Sequence, residues 1–294
     1  MVKIKNRILS WPGTKFRQID DILNIIKTDN YNTICEPYLG GAAFSLQQDS
    51  NKKFFWAEKN KDLYNWWRNL LYKTEDLIER MQYFKDLYKD ASQDKEVFLQ
   101  MREDYNFRKI SNPQKTETSA LLWVLIYQST NNLARFNKKG GYNQTWGKGR
   151  KVPDISSYFN NEVIQYFKNI SYNTCLYNKA EDVLNDVLKL DNKDVLVYLD
   201  PPYLLRTEVY DKTWNIDEEK KMFEYIDKLE NQGIAWFMTN YLSIESKTGK
   251  KEHPFLDTIY KWSIFPLDRK KDARPTTSGN KANEFIIVGS HYAV

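Results

Sequence analysis

A chain of 294 residues with 41% hydrophobic and 28% charged side chains has globular composition and room for a core domain that carries a second one, which excludes a disordered chain. No apolar run approaches the roughly 18 residues of a membrane span, and the opening MVKIKNRILSWPG lacks the apolar stretch of a signal peptide, so a cytoplasmic protein is expected. A net charge of +5 is too mild to prove a nucleic-acid partner, and Cys35, Cys175, His253 and His291 are spaced for neither a disulfide framework nor a metal site.

Along the chain, short apolar runs followed by turn residues read as buried strands: NTICEPYLGG, KKFFWAEKN, VLVYLDPPY, IAWFMTN and EFIIVGSHY. The first of them runs from Tyr31 to Cys35 into Glu36-Pro37-Tyr38-Leu39-Gly40-Gly41-Ala42-Ala43-Phe44, which is expected to open a helix. Glycines at such a turn let the backbone approach a ligand closely. Glu58 ends the next strand, 22 residues beyond Glu36. An acid at about that distance suits a ribose diol, although it could equally cap the following helix. From Leu63 to about Lys109 the spacing becomes helical, as in EDLIERMQYFKDLY, and a second helical stretch covers Glu117 to Gln128. The Gly/Asn/Lys-rich segment NNLARFNKKGGYNQTWGKGRK then reads as a hairpin or extended loop, and strands resume at Thr174. This pattern predicts an α/β domain built from residues 1–62 and 172–294, with a mainly helical domain inserted at 63–171.

The sharpest chemical signal is Asp200-Pro201-Pro202-Tyr203, directly after the apolar strand Val195–Leu199. In open α/β sheets ligands bind beyond the carboxyl ends of the strands. Successive prolines fix the backbone and leave carbonyl oxygens free to accept. Asp200 and a proline carbonyl could together accept both N–H protons of a planar amine and make its nitrogen more nucleophilic, while Tyr203 offers a ring for stacking. Adenine N6 is one such amine. Cytosine N4, an RNA base and a glutamine amide are others, and the tetrapeptide does not choose among them.

Taken together, these motifs resemble the DNA adenine methylases of the Dam family. Ser10-Trp11-Pro12-Gly13-Thr14-Lys15 is similar to its N-terminal motif, EPYLGGAAF to its cofactor loop and VYLDPPY to its catalytic motif; Met101–Asn106 and Asn132–Asn137 agree as well. The resemblance runs from Leu9 to Val288 in the family's order. It implies a Rossmann-like sheet, S-adenosylmethionine as cofactor, and transfer to adenine N6 of a base flipped out of double-stranded DNA. It also implies cofactor contacts from Trp11, Lys15, Glu36, Gly40, Glu58, Asp182 and Asp200, with Asp200, Pro201, Pro202 and Tyr203 at the reacting amine. The family usually has aspartate where Glu58 stands. No metal is implied, and a monomer or weak dimer is expected. A non-catalytic DNA-binding protein, or the specificity part of a restriction system, is the rival from another class, and the intact Asp200 argues against it.

Charge placement supports a DNA partner. No acidic residue falls between Glu117 and Asp154, whereas Arg135, Lys138, Lys139, Lys148, Arg150 and Lys151 all do, interleaved with Phe136, Tyr142 and Trp146. Arg135, Asn137, Lys138, Lys139, Lys148 and Arg150 are the expected DNA contacts, with the arginines suited to guanine O6 and N7. A second, weaker candidate is the loop from Arg269 to Lys281. The Dam resemblance favours GATC or a related short site, although Thr145-Trp146-Gly147 and the extra Gly149 depart from the usual turn.

Overall fold

The apolar runs become strands and the leucine- and tryptophan-rich stretches become helices in the computed structural model, which describes residues 4–206, 213–246, 249–267 and 281–292. In chain order the elements begin with α1 (Ile19–Ile25), β1 (Thr33–Glu36), β2 (Lys53–Ala57), α2 (Lys61–Tyr72), α3 (Thr74–Leu87), α4 (Lys95–Ser111) and α5 (Thr116–Gln128). There follow α6 (Ile155–Tyr158), α7 (Asn161–Ser171), β3 (Thr174–Tyr177), α8 (Ala180–Val187), β4 (Val195–Leu199) and α9 (Ile216–Gln232). The chain closes with β5 (Ala235–Ser246), β6 (Gly249–Glu252), α10 (Leu256–Ile259), β7 (Ser263–Leu267) and β8 (Lys281–Val288). Contacts divide these into two compact units: Met1–Thr14, Gly40–Asn51 and Glu58–Asn178 form one, and Lys15–Leu39, Lys52–Ala57 and Lys179–Val294 the other.

In the second unit the strands stand in the order β2, β1, β4, β5, β8, β7, with β6 beside β5. β1 pairs in parallel with β2 and β4, and β4 with β5, whereas β8 runs antiparallel to β5 and β7. Every residue of β1 and of β4 is buried, as parallel strands covered on both faces require. β1 has β2 on one side and β4 on the other, so the strand order reverses there and opens a crevice at their carboxyl ends, where Glu36 and Asp200 stand. Helix α9 shows how sequence sets an element: the Asn215 side chain accepts from the backbone N–H groups of Asp217 and Glu218, three acids fill the first turn, and Gly233 ends it at φ +68°.

In the first unit α5 is apolar nearly all round and buried, as a central helix must be, and α2, α3 and α4 pack on it. Trp123 of α5 donates its indole N–H to the carbonyl of Ile8 at 2.8 Å, which ties the N-terminal segment to this unit. The basic segment is a hairpin-like loop with bridges Ser129–Trp146 and Phe136–Tyr142. Asn106 holds it from α4 through both backbone groups of Tyr142.

The glycine turn differs from expectation. In place of an α-helix after EPYLGG there is a single 3₁₀ turn, Ser45–Gln47, because Gly40 (φ +50°) and Ala42 (φ +51°) take left-handed backbone that a helix cannot include.

Candidate active site

β4 delivers Asp200 at its carboxyl end, and the second unit surrounds that carboxylate with donors. The Lys15 ammonium, just ahead of α1, sits 2.6 Å from Asp200 Oδ1 and 2.8 Å from Oδ2. Thr239 of β5 donates to Oδ1 at 2.8 Å, and the Tyr203 hydroxyl lies 3.0 Å from the same oxygen. Tyr198 of β4 shares a 3.2 Å hydrogen bond with Thr239. Lys15 and Asp200 are therefore neighbours although 185 residues apart in sequence.

A second carboxylate, Glu284 of β8, completes the cluster, and sequence reasoning missed it. It is 5% exposed, stands 3.4 Å from Lys15, accepts from Gln18 at 2.8 Å, and its Oε1 is hydrogen bonded to the Tyr203 hydroxyl. The ring of Tyr203 lies edge to face against Tyr241 at 4.9 Å, with the Lys15 ammonium 4.8 Å over its centroid. The plane of the ring is thus fixed through its face and its hydroxyl. The one trace of Glu284 in the sequence is an acid at the head of the apolar run Phe285–Val288, which by itself does not point to Lys15 or Asp200.

Burial pushes the Asp200 carboxyl above the usual carboxylate range; Lys15 opposes this and Glu284 adds to it. For Lys15 burial favours the neutral amine, but Asp200 and Glu284 together outweigh it and hold the ammonium above its ordinary value. Burial, then Asp200 and Glu284, keep Tyr203 protonated well past the ordinary phenol range. The cluster is a buried cation held between two acids, with a neutral hydroxyl touching both.

The other expected cofactor residues of this unit are arranged around the same strand ends. Glu36 closes β1 and is 2% exposed. Tyr38 follows it, packed edge to face on Trp214 at 5.4 Å, and the Trp214 indole donates to buried Glu219 at 2.5 Å. Asp182 is exposed in the first turn of α8, where the helix dipole favours an acid.

In the first unit Glu58 uses one oxygen to accept from the Gly40 N–H at 3.1 Å and the other from the Asn60 N–H at 2.7 Å. It fixes the glycine turn, while Asn60 caps α2. Gly41 has to be glycine: a Cβ there would come within 2.7 Å of Thr14 Oγ1. Trp11 leans on Phe136 at 6.1 Å, so the SWPGT segment touches the basic loop.

Of the expected DNA contacts, Lys138, Lys139 and Lys148 project into solvent. Arg135 is exposed but braced on Asn143, with Nε 3.1 Å from its Oδ1 and Nη2 2.8 Å from its carbonyl, and Arg150 donates to Asn132 at 2.9 Å. Asn137 organises the loop tip, its Oδ1 accepting from the N–H groups of Lys139 at 2.9 Å and Gly141 at 3.0 Å. The loop from Arg269 lies outside the described residues. Among the described residues no group of His, Cys, Asp and Glu could hold a metal, and no helix is long and apolar enough to cross a membrane.

Residues 11–270 match the D12 class N6 adenine-specific DNA methyltransferases. The chain belongs to this family. Its parallel-dominated α/β sheet agrees with a methyltransferase fold. The chain is 24% identical to the modification methylase StsI of Streptococcus sanguinis over 96% of its own length, and spans 42% of that longer protein. It is 23% identical to the type II methyltransferase M1.LlaDCHI of Lactococcus lactis, covering 97% of both chains. With the DNA adenine methylase of Escherichia coli it shares 24% identity, over 81% of each. The expectation of an adenine-specific DNA methyltransferase is thereby met.

Proposed function

We propose that this methyltransferase moves the methyl of S-adenosylmethionine to adenine N6 of a base flipped out of duplex DNA, at GATC or a related short site. The observation that carries the reading is Asp200, largely but not fully buried at the carboxyl end of β4 beside the sheet's switch point and held in place by Lys15 and Thr239. Fixed acceptors aimed at a reacting amine are worth most in such a desolvated place. Asp200 accepts one N6 proton and the Pro201 carbonyl the other, and the Tyr203 ring carries the base, whose extrusion costs a few kcal/mol. The Dam resemblance favours GATC. The same reading takes the enzyme to act in the cytoplasm of a bacterial or phage-infected cell, as a monomer or weak dimer.

The donor set suits the cofactor. Lys15 complements a carboxylate, Asp200 and Glu36 suit an ammonium and a sulfonium, Asp182 is the acid given to the cofactor adenine, and Glu58 is an acid suited to a ribose diol. Trp11 and Gly40 are the remaining residues given to it. Bound there, the cofactor supplies an electrophilic methyl group. Excess S-adenosylmethionine is expected to raise the melting temperature of metal-free protein, about 2.7 kcal/mol at 100 times its dissociation constant. No shift, with the cofactor or its demethylated product, sinks the reading, and methylation-sensitive sequencing of DNA from cells expressing the chain identifies the site.

For DNA, the exposed ammonium groups of Lys138 and Lys139 act on phosphates, while Arg135 and Arg150, braced by Asn143 and Asn132, act on bases. Each phosphate contact adds about −0.9 to the slope of log affinity against log salt, so alanine at both lysines flattens the slope by up to about 1.8. An unchanged slope would put the phosphate contacts elsewhere.

A further inference from the structure

We propose that Glu284 is a positioning residue for methyl transfer, a second seat to which the Lys15 ammonium moves from Asp200 when the target amine arrives. The inference rests on the reading above, in which Asp200 accepts from adenine N6.

Asp200 is not ready for an amine while Lys15 sits on it. At rest its Oδ1 accepts from Lys15 and Thr239, with the Tyr203 hydroxyl 3.0 Å away and its hydrogen on Glu284, and its Oδ2 accepts from Lys15. Beyond the crowding, an ammonium in direct contact neutralises the carboxylate, and a neutralised acceptor draws little on an N–H bond. Something has to take the ammonium without expelling a buried cation into an uncompensated place, because an unpaired buried charge costs several kcal/mol.

Glu284 meets that requirement. It is already 3.4 Å from the Lys15 nitrogen, so a shift of under an ångström brings the ammonium into full contact with Glu284, and the rotatable lysine stem carries it the rest of the way off Asp200. Its own position is rigid: it stands within β8 in register with Tyr241 of β5, and Gln18 holds its other oxygen. Lys15, by contrast, is a long side chain outside any helix or strand. The partner that moves is therefore the lysine.

Tyr203 makes the exchange reciprocal. Its hydroxyl touches a carboxylate oxygen of both acids but carries one hydrogen, so it serves one of them at a time. With the ammonium on Glu284, the hydroxyl gives its hydrogen to the more negative Asp200. Asp200 then holds only neutral donors, keeps its charge, and offers to N6 the Oδ2 that Lys15 has left. In the resting arrangement the two acids share the cation; in the reacting one they divide the cation and the hydroxyl between them.

The test uses Glu284→Gln and Glu284→Asp in the full chain, with saturating S-adenosylmethionine and a duplex carrying the site. Glutamine keeps the shape but not the charge that draws Lys15 away. The single-turnover rate is expected to fall roughly 10- to 100-fold, with dissociation constants for cofactor and DNA within about threefold of wild type, and Glu284→Asp to recover most of the rate. A wild-type rate in Glu284→Gln, or a loss confined to binding, overturns the proposal. If Glu284→Gln does not fold, the structure of the wild-type protein with a methyl-inert cofactor analogue and duplex decides: Lys15 hydrogen bonded to Glu284 and off Asp200 supports the exchange, and Lys15 still on Asp200 overturns it. A wild-type protein that binds no cofactor fails the proposed function instead, so the two failures are distinguishable.

Discussion

Replacing Asp200 by asparagine is expected to cut methyl transfer by at least about 10²–10³-fold at saturating cofactor while leaving the fold intact. The substitution keeps the side chain's size but turns one acceptor oxygen into an N–H donor that opposes the substrate amine. It also gives up the charge that makes the remaining oxygen a strong acceptor. The fold survives for two reasons. β4 is buried along its whole length independently of the residue that follows it, and Lys15 keeps a counter-ion in Glu284 at 3.4 Å. Thr239, which donates to Oδ1 alone, will favour the rotamer that keeps the carbonyl there and puts the amide at the Oδ2 position offered to the substrate, the worst orientation for the reaction. Single-turnover transfer of a labelled methyl, read beside a thermal melt, is the measurement. Normal turnover, or product found on cytosine, RNA or protein in the wild type, would sink the assignment of Asp200 to the N6 amine.

What was legible in the sequence was local. A five-residue apolar run followed by an acid and two prolines contains within ten residues both the strand and the reason its end is chemically useful, and the structure has Asp200 there with its neighbours. The α5 helix and strands β1, β2, β4, β5 and β8 were readable in the same way, from composition over a window, whereas β6 and β7 were not. What depended on contacts across the chain was not. That Lys15 meets Asp200 could be suggested only by resemblance, since nothing within either segment points to the other. Glu284 carried no such hint, because a single acid in an apolar strand reads as an edge residue until β5 and β8 are paired. Local backbone geometry was also hidden: two residues at positive φ stopped the helix expected after EPYLGG, and one of them is an alanine, which no composition rule anticipates. Asn137 shows a related ambiguity, for a residue chosen as a DNA contact has its side-chain oxygen occupied in shaping the turn that presents Lys138 and Lys139.

Lys15→Met is expected to produce the largest change in stability, and one that depends on pH. In the wild type Asp200 and Glu284 raise the Lys15 value against the effect of burial. The bridge therefore contributes its full stability below the lysine's unfolded value of about 10.4, and loses it only as pH rises through the higher folded value. Asp200 has the opposite leaning for an acid: burial, with Glu284 adding and Lys15 opposing, raises its value in the fold. Its ionisation therefore costs stability as pH rises above about 4. Methionine fills the space of the lysine stem but leaves two carboxylates facing each other, one 18% and the other 5% exposed, without the cation between them. Breaking a buried pair in this way costs about 3–5 kcal/mol when both acids are ionised. As pH falls toward the carboxylate range one of them takes a proton, like two carboxyls sharing a site, and the penalty shrinks. Lys15→Met should thus melt far below wild type at about pH 8 and approach it at about pH 5, with the acid limb of any residual activity moved to higher pH because the ammonium that favoured ionised Asp200 is gone. Equal destabilisation at both pH values would mean that lost packing, rather than two unbalanced charges, accounts for the effect.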